Sequence, residues 1–378
     1  MFVLYISVSL QNLFQQEKHD NKNSKDNFSL DGGTTMKVGI AGARGSIPTP
    51  TGNTLFDRSV ATARYGGNTT CVYVQSDDGS EHILDAGTGI RDLGIHLAKE
   101  GGFNGQSGRK LNLYISHTHW DHIQGLPFFV PAYIGGNRIT VFGEAKVRGV
   151  HPDTRESLER AVQEHSDRPG LPGILTVEGD GLRTVLGKQQ DFRNFPAPLQ
   201  ALQGITAYLD FVPGTRVYDS PTMNIDTLAL NHPGNSISYR FTEKKADGTT
   251  KTFVFTTDWE PKRDDGKKVV YDKALIEFWA GADLVLSDSQ YEPLGGEHSA
   301  LNPFMVGWGH SDFQTNLWYA SEAGVKEIGL THLEPKSSDV YYDALEQRAQ
   351  LYSREQADRL KRDAVKVEIA KEGTWKML

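Results

Sequence analysis

The chain has 378 residues, of which 38% are hydrophobic and 23% are charged, a balance that excludes a disordered or fibrous protein. The formal net charge of −8 disfavours a broad nucleic-acid-binding surface, because proteins that grip a phosphate backbone usually carry a basic excess. No apolar run in the sequence approaches the roughly 20 residues that cross a bilayer, so we expect no membrane span.

The N-terminus and the cysteine content both bear on where the protein resides. The opening run MFVLYISVSLQNLFQQ lacks the basic start and the small-residue cleavage site of a signal peptide, the alternative for this segment. Polar residues follow it, and we predict that residues 1–35 form a disordered or dispensable extension. Because the only cysteine, Cys71, cannot form an intrachain disulfide, we expect a cytoplasmic location.

Short apolar runs predict the strands of the first third: KVGIAG, TCVYVQS, HILDAG and LNLYISH. Between the last two, GIRDLGIHLAKEG places Ile90, Leu93 and Leu97 at helical spacing. The run GLPFFVPAYIGGNRITVFG then predicts a short helix, a turn and a strand. Residues 144–200 are rich in charge, Gly and Pro and contain one helical stretch, RESLERAVQEH, so we predict an insertion or lid there.

Strands with period-2 alternation return after residue 200: ITAYLDFV, TLALNHPG, SISYRFTE and TFVFTTDWE. The Asp247-Gly248 step predicts a hairpin between the last two. Helix LIEFWAG, strand DLVLSDS, helix FQTNLWYASEAG and strand EIGLTHLE follow, and a charged helix is predicted from about Asp343 to Lys361. This order predicts an α/β fold, which we place in one domain over residues 36–378.

The segment LYISHTHWDH concentrates four potential metal ligands after an apolar strand. His117 and His119 are two residues apart, so in extended backbone their side chains point to the same side. Asp121 and His122 follow where the chain turns, which lets them face a second ion. Imidazole nitrogens and carboxylate oxygens suit zinc, with iron or manganese as alternatives.

The HxHxDH pattern and its setting resemble the metallo-β-lactamase superfamily. Within it the chain is similar to the phosphodiesterase-like branch, near ribonuclease Z and cyclic-phosphate phosphodiesterases. The motifs that carry the resemblance are ARGSIPTP, RYGGNTTCV, ILDAGTG, SHTHWDHIQGLPFF, LNHPGNSISYRF, TTDWEP, SDSQY, GWGHS and LTHLEP. The resemblance implies the four-layer αββα sandwich of that superfamily.

Carried over to this sequence, the family pattern implies two metal ions with seven protein ligands. His117, His119 and His232 would hold one ion, Asp121, His122 and His332 the other, and Asp258 would bridge them. His232, Asp258 and His332 each follow an apolar run, and so are expected at strand ends. The remaining histidines lack this context, and we expect them at the surface: His19, His82, His96, His151, His165 and His298.

The resemblance also implies a mechanism, in which a water shared by the metals provides the attacking hydroxide. His310, in GWGHS, occupies the position of the proton-donating histidine of ribonuclease Z. Asp288, in SDSQY, occupies the position of the glutamate that orients that histidine, and an aspartate is shorter. Together with Asp121, these two are the predicted catalytic residues. Asp85, in ILDAGTG, is expected near the metals as a hydrogen-bond partner, or as a cap of its turn.

The range of expected substrates is narrowed by a segment of ribonuclease Z that this chain lacks. Only 25 residues separate His232 from Asp258, so the tRNA-gripping arm of ribonuclease Z is missing, and a tRNA 3′-processing endonuclease is disfavoured. We expect a small or cyclic phosphodiester, with no nucleic-acid or membrane partner. A carboxylic-ester or lactone hydrolase shares the same ligand set and stays open, as does a non-catalytic metal-binding module. Relatives are often dimers, so a homodimer is also open.

Overall fold

Two β-sheets form the centre of the molecule. The computed structural model describes residues 35–49, 62–101, 108–145, 174–175, 181–264, 268–293 and 305–378. The predictions made for residues 1–34, for the helical stretch RESLERAVQEH, and for His19, His151, His165 and His298 lie outside the described residues.

The first sheet has eight described strands. They are β1 (Lys37–Gly42), β2 (Cys71–Gln75), β3 (Glu81–Leu84), β4 (Lys110–Tyr114), β5 (Arg138–Glu144), β6 (Ile174–Leu175), β7 (Ile205–Phe211) and β17 (Trp375–Met377). Their order in the sheet is β17-β1-β2-β3-β4-β5-β7-β6. The strands from β3 to β7 in this order pair in parallel, and those from β17 to β3 pair antiparallel.

The second sheet has seven described strands. They are β8 (Arg216–Asp219), β9 (Met223–Leu230), β10 (Ser236–Lys244), β11 (Thr250–Thr256), β14 (Leu284–Asp288), β15 (Glu327–Thr331) and β16 (Lys366–Ile369). Their order is β16-β15-β14-β11-β10-β9-β8. Two short strands, β12 (Arg263–Asp264) and β13 (Lys268–Val269), pair separately.

The described helices are α1 (Gly89–Gly101), α2 (Trp120–Ile123), α3 (Leu182–Gln189), α4 (Lys273–Trp279), α5 (Phe313–Ala323) and α6 (Asp339–Leu360). Single 3₁₀ turns occupy Leu126–Phe128, Val130–Tyr133 and Leu199–Ala201. In the described part of the chain, no helix combines the length and the apolar character that crossing a membrane requires.

Side-chain alternation along the strands creates the layers. On β4, Leu113 packs in a core with Ile90 and Leu97 of α1. The next residue, Tyr114, points to the opposite face, where its ring lies 5.4 Å from that of Tyr239 in the second sheet. Arg240, the residue after Tyr239, faces the other side of the second sheet, where its guanidinium donates to the carbonyl of Phe278 in α4. Helices α4, α5 and α6 pack side by side on this outer face. The order helix, sheet, sheet, helix confirms the predicted αββα architecture.

Some local predictions need adjustment. The last helix begins at Asp339, four residues before the predicted Asp343, because the side chain of Ser338 accepts a hydrogen bond from the N–H of Tyr341. Strands β6, β8, β12, β13, β16 and β17 were not predicted, since such short runs carry little alternation. The hairpin at Asp247-Gly248 is confirmed, with Gly248 at φ 85°.

The prediction that His82 lies at the surface is wrong. Its side chain is 0% exposed, and its ring packs against those of Tyr114, Tyr218 and Phe241. On β3 this position faces the second sheet, so a polar side chain is enclosed between the two sheets. His96 is exposed, as expected.

One edge of the sandwich collects the carboxyl ends of several strands. β11, β14 and β15 are parallel neighbours, so Asp258, Asp288 and His332 lie at the same edge. β9 runs parallel to β11, because both are antiparallel to the β10 strand between them, and His232 follows β9. The segment after β4 reaches this edge from the facing sheet.

Candidate metal centre

The segment after β4 places four side chains within a short stretch of chain. The strand continues through Ile115, whose N–H donates to the carbonyl of Phe142, and the helix α2 begins at Trp120. The extended backbone before α2 carries His117 and His119, and the helix carries Asp121 and His122. His117, Asp121 and His122 are buried, whereas His119 is exposed.

Four side chains form a tight first group: Asp121, His122, Asp258 and His332. Nε2 of His122 lies 3.0 Å from Oδ1 of Asp258 and 3.2 Å from Oδ2 of Asp121. Nε2 of His332 lies 3.2 Å and 3.0 Å from the same two oxygens. Zinc bonds of about 2.0–2.1 Å in a tetrahedron require ligand atoms about 3.3 Å apart. The group therefore has dimensions that fit one ion.

The orientation of His122 also fits a metal ligand. Its Nδ1–H donates to Oδ2 of Asp85 at 2.7 Å, so in the neutral imidazole that binds a metal the lone pair is on Nε2. That atom faces Nε2 of His332 at 3.3 Å. A carboxylate that fixes the tautomer of a ligating histidine is the usual partner of such ligands. The expected hydrogen-bonding role of Asp85 is therefore observed.

The buried carboxylates of the first group favour the presence of positive charge. Burial lowers the pKa of His122, but the carboxylates of Asp258, Asp121 and Asp85 outweigh burial and raise it well above the ordinary value. Burial raises the pKa of Asp121 and Asp258, yet the neighbouring histidines hold both well below the usual range. A site that holds charged carboxylates this far from water attracts a cation.

The second group contains His117, His119, His232 and Asp258. Nε2 of His232 lies 3.1 Å from Nδ1 of His119 and 3.8 Å from Oδ2 of Asp258. Nε2 of His117 lies 3.6 Å from the same oxygen. The two distances to Asp258 make this group wider than the first.

Two further observations indicate that the second group fits an ion. Nε2 of His117 is buried and has no hydrogen-bond partner among the described residues, a costly arrangement unless a ligand satisfies it. Burial lowers the pKa of His232 to about 4 and, with neighbouring histidines, holds the pKa of His117 well below its ordinary value. Both imidazoles are therefore neutral, as metal ligands must be.

Asp258 joins the two groups. Its Oδ1 belongs to the first group and its Oδ2 faces the second. Asp258 and His332 adopt positive φ values of 43° and 55°, and Asp85 has a φ of 60°. Backbone strain of this kind concentrates at functional sites. The structure thus brings all seven predicted ligands to one place.

His310 and Asp288 lie directly beside these groups. Nδ1 of His310 donates to Oδ2 of Asp288 at 2.9 Å and lies 3.8 Å from Oδ2 of Asp258. The shorter aspartate therefore reaches the histidine. Burial lowers the pKa of His310, but the carboxylates of Asp288, Asp258 and Asp121 together outweigh it and raise the pKa to about 9 in the metal-free protein.

The structure also shows contributors that were not predicted individually. The N–H of Ser46 donates to Oδ2 of Asp121 at 2.7 Å, and a Cβ on Gly45 would overlap the ring of His332. Both residues lie in ARGSIPTP, one of the motifs that carry the family resemblance. The carbonyl of Gly309 accepts from Nδ1 of His232 at 2.8 Å. A backbone role leaves no chemical signal in a sequence, so none of these contacts could be read from residue type.

Comparisons with known proteins agree on the fold. No protein-family model matches the chain, and no curated protein matches it. Solved structures do match, and these neighbours show that the chain has the metallo-β-lactamase fold.

Three of the matching structures illustrate the likeness. The metallo-β-lactamase fold protein YhfI from Bacillus subtilis shares 18% identity at a TM-score of 0.53, over 92% of this chain and 100% of its own. Unliganded yeast PDE1 shares 14% at a TM-score of 0.56, over 92% and 100%. A diphosphatase from the PhnP family shares 15% at a TM-score of 0.51, over 91% and 97%.

Proposed function

We propose that this protein is a hydrolase dependent on two divalent metal ions, and that it cleaves a small or cyclic phosphodiester. The observation that carries the proposal is the division of the Asp258 carboxylate between two sets of histidines. Oδ1 lies 3.0 Å from His122, and Oδ2 lies 3.6 Å from His117. Two ions bound here would act as Lewis acids and would lower the pKa of a bound water toward about 7.

The donor atoms favour zinc. Each group supplies imidazole nitrogens together with carboxylate oxygens, the set that zinc prefers, with iron and manganese next. In this assignment His117, His119 and His232 would hold one ion, and Asp121, His122 and His332 would hold the other. Asp258 would contribute to both sites, and Asp85 orients His122.

The pair of His310 and Asp288 supports a reaction with an alkoxide leaving group. Asp288 engages Nδ1 of His310, so Nε2 holds the proton that can be transferred to the departing oxygen. A protonated imidazole beside the ligand groups is a suitable general acid. A diphosphatase has the same fold, which supports phosphorus chemistry on this scaffold.

Two exposed tryptophans support a substrate with a planar ring. Trp120 and Trp308 are each 65% exposed. Trp120 precedes Asp121, and Trp308 stands two residues before His310, so both belong to segments that build the site. Stacking on an aromatic side chain is worth about 1–3 kcal/mol per base, and a cyclic nucleotide is therefore the first substrate to test.

Metal analysis of the purified protein, followed by a hydrolysis screen, tests the proposal. We expect about two divalent ions per chain, loss of metal in Asp258→Ala, and full metal content in the control His96→Ala, which changes an exposed histidine. The screen compares cyclic nucleotides, other cyclic phosphates and bis(p-nitrophenyl) phosphate with chromogenic esters and lactones.

Each result of the screen has a defined meaning. Cleavage of the phosphate esters supports the proposal. A protein that cleaves the ester or lactone and leaves every phosphodiester intact is instead a carboxylic-ester or lactone hydrolase. If the protein binds no divalent metal even after reconstitution, the proposed metal-dependent function is refuted.

A further inference from the structure

Glu260 is a buried carboxylate that the mechanism above does not use. It stands two residues after Asp258 and is 5% exposed. Its Oε2 accepts hydrogen bonds from the N–H of Gly307 at 2.8 Å and from the N–H of Gly309 at 3.1 Å. A single oxygen atom therefore accepts hydrogen bonds from two backbone N–H groups of the segment that precedes His310.

That segment orients the predicted ligand His232. The carbonyl of Gly309 accepts from Nδ1 of His232 at 2.8 Å, which leaves the lone pair on Nε2, the predicted ligand atom. Gly309 has a φ of 87°, and a Cβ on this residue would overlap the His232 ring. The peptide at Gly309 must therefore be held closely in place.

The same segment also delivers His310. This residue follows Gly309 directly, and its Nδ1 reaches Asp288 at 2.9 Å. A shift of the Gly309 peptide would move both the carbonyl that orients His232 and the backbone that carries His310.

The backbone of Glu260 is itself joined to the His232 segment. Its N–H donates to the carbonyl of Asn231 at 2.8 Å, and the side-chain amide of Asn231 donates to the carbonyl of Glu260 at 2.9 Å. Glu260 thus joins three segments: the one after β9, the one after β11, and the one that leads to His310.

We propose that Glu260 is a positioning residue, whose carboxylate fixes the tautomer and orientation of His232 and the place of His310. The role rests on the proposed function, because it concerns the same ligands and the same proton donor. Glu260 acts through hydrogen bonds to backbone N–H groups, so the geometry of the acceptor oxygen matters more than its charge.

Three variants separate this role from a general effect on stability. Glu260→Ala removes the acceptor, and Glu260→Gln keeps a carbonyl oxygen that can accept both hydrogen bonds without charge. The matched control is Glu372→Ala, because Oε2 of Glu372 also accepts from two backbone N–H groups, those of Gly67 and Asn68, each at 3.0 Å. Unfolding in denaturant measures the loss of stability in each variant.

Zinc affinity is the first measurement, by competition with a chromogenic chelator. We expect Glu260→Ala to weaken the affinity of one site by about 10- to 100-fold, the usual effect of losing a group that orients a ligating histidine. Glu260→Gln should stay close to the wild type, and Glu372→Ala should lose stability without losing affinity. If Glu260→Ala does not fold, Glu260→Asp, which is one methylene shorter and reaches the two N–H groups less well, takes its place.

Leaving-group dependence is the second measurement. A p-nitrophenolate leaves without a proton, whereas an alkoxide needs one, so loss of His310 alignment should lower kcat more for an alkyl phosphodiester than for bis(p-nitrophenyl) phosphate. A merely structural role would lower both rates alike.

The proposal is overturned if Glu260→Ala retains wild-type zinc affinity. It is also overturned if Glu260→Gln is as impaired as Glu260→Ala, or if Glu372→Ala shows the same loss of affinity. The zinc measurement needs no substrate, so it decides the role of Glu260 even if the protein cleaves esters instead of phosphodiesters. A wild-type protein without metal would refute the proposed function itself.

Discussion

Replacing Asp85 by Asn should weaken metal binding without removing any predicted ligand. The Asp85 carboxylate is fully buried. Its Oδ1 accepts from the N–H of Ser116 at 2.7 Å, and its Oδ2 accepts from Oγ of Ser116 at 2.8 Å and from Nδ1 of His122 at 2.7 Å. The backbone N–H cannot turn away, so the amide oxygen of the variant must take the Oδ1 position.

The amide NH₂ group then occupies the Oδ2 position and faces the Nδ1–H of His122. Two donors meet, and the imidazole can relieve the clash only by moving its proton to Nε2, the atom predicted to bind metal. We expect metal affinity to fall about 10- to 100-fold, which corresponds to about 1.4–2.7 kcal/mol.

Chelator competition measures the affinity, and nitrogen chemical shifts of His122 in the zinc-loaded protein report which ring nitrogen carries the proton. Asp210→Asn is the matched control. It makes the same change at a buried carboxylate that accepts a backbone N–H from Leu182, and it should leave metal affinity unaltered. An Asp85→Asn protein with wild-type affinity and an unchanged His122 tautomer would refute the reasoning.

Three further predictions follow from the same geometry. His310→Ala should retain both metals while kcat falls about 100-fold or more, the scale of a lost general acid; full activity with normal metal content would remove His310 from the mechanism. Asp258→Ala should lose metal and activity together, as elemental analysis and the hydrolysis assay would show, and retention of both ions would contradict a bridging role. Burial lowers the pKa of His82 from its ordinary 6.5 to about 4. Between these two pH values the unfolded chain binds a proton at His82 that the folded chain does not bind. The free energy of unfolding should therefore decrease as the pH falls from about 6.5 to about 4, by at most about 3 kcal/mol. Denaturant unfolding of metal-free protein at about pH 7 and about pH 4.5 should show a weaker pH dependence in His82→Phe; an identical dependence would contradict the assignment.

Local pattern was enough to predict much of the fold. The alternation in KVGIAG, TCVYVQS and LNLYISH predicts strands that the structure contains, because side chains on a strand alternate between two faces. The helix predicted from GIRDLGIHLAKEG matches α1. Short strands such as β17 carry too few residues for a pattern, and their existence depends on an open edge, here that of β1.

The candidate site likewise has a part that local sequence predicts and a part that depends on the tertiary structure. The four residues from His117 to His122 form a recognisable group, since their proximity is local. Nothing in the spacing of His232, Asp258 and His332 requires them to meet, and only the resemblance to a family predicts that they lie together. Their convergence results from the parallel pairing of β11, β14 and β15 and from the facing of the two sheets.

The sequence alone therefore determined the strands and helices with strong periodicity, and the local cluster of ligands after β4, because both depend on residues close in the chain. The tertiary structure decided that His82 is buried, that Asp288 reaches His310, and that Glu260 holds the Gly309 peptide. Each of these depends on which strands become neighbours and on where backbone N–H and carbonyl groups point. A sequence pattern records side-chain chemistry at fixed spacing, and it does not record these long-range contacts.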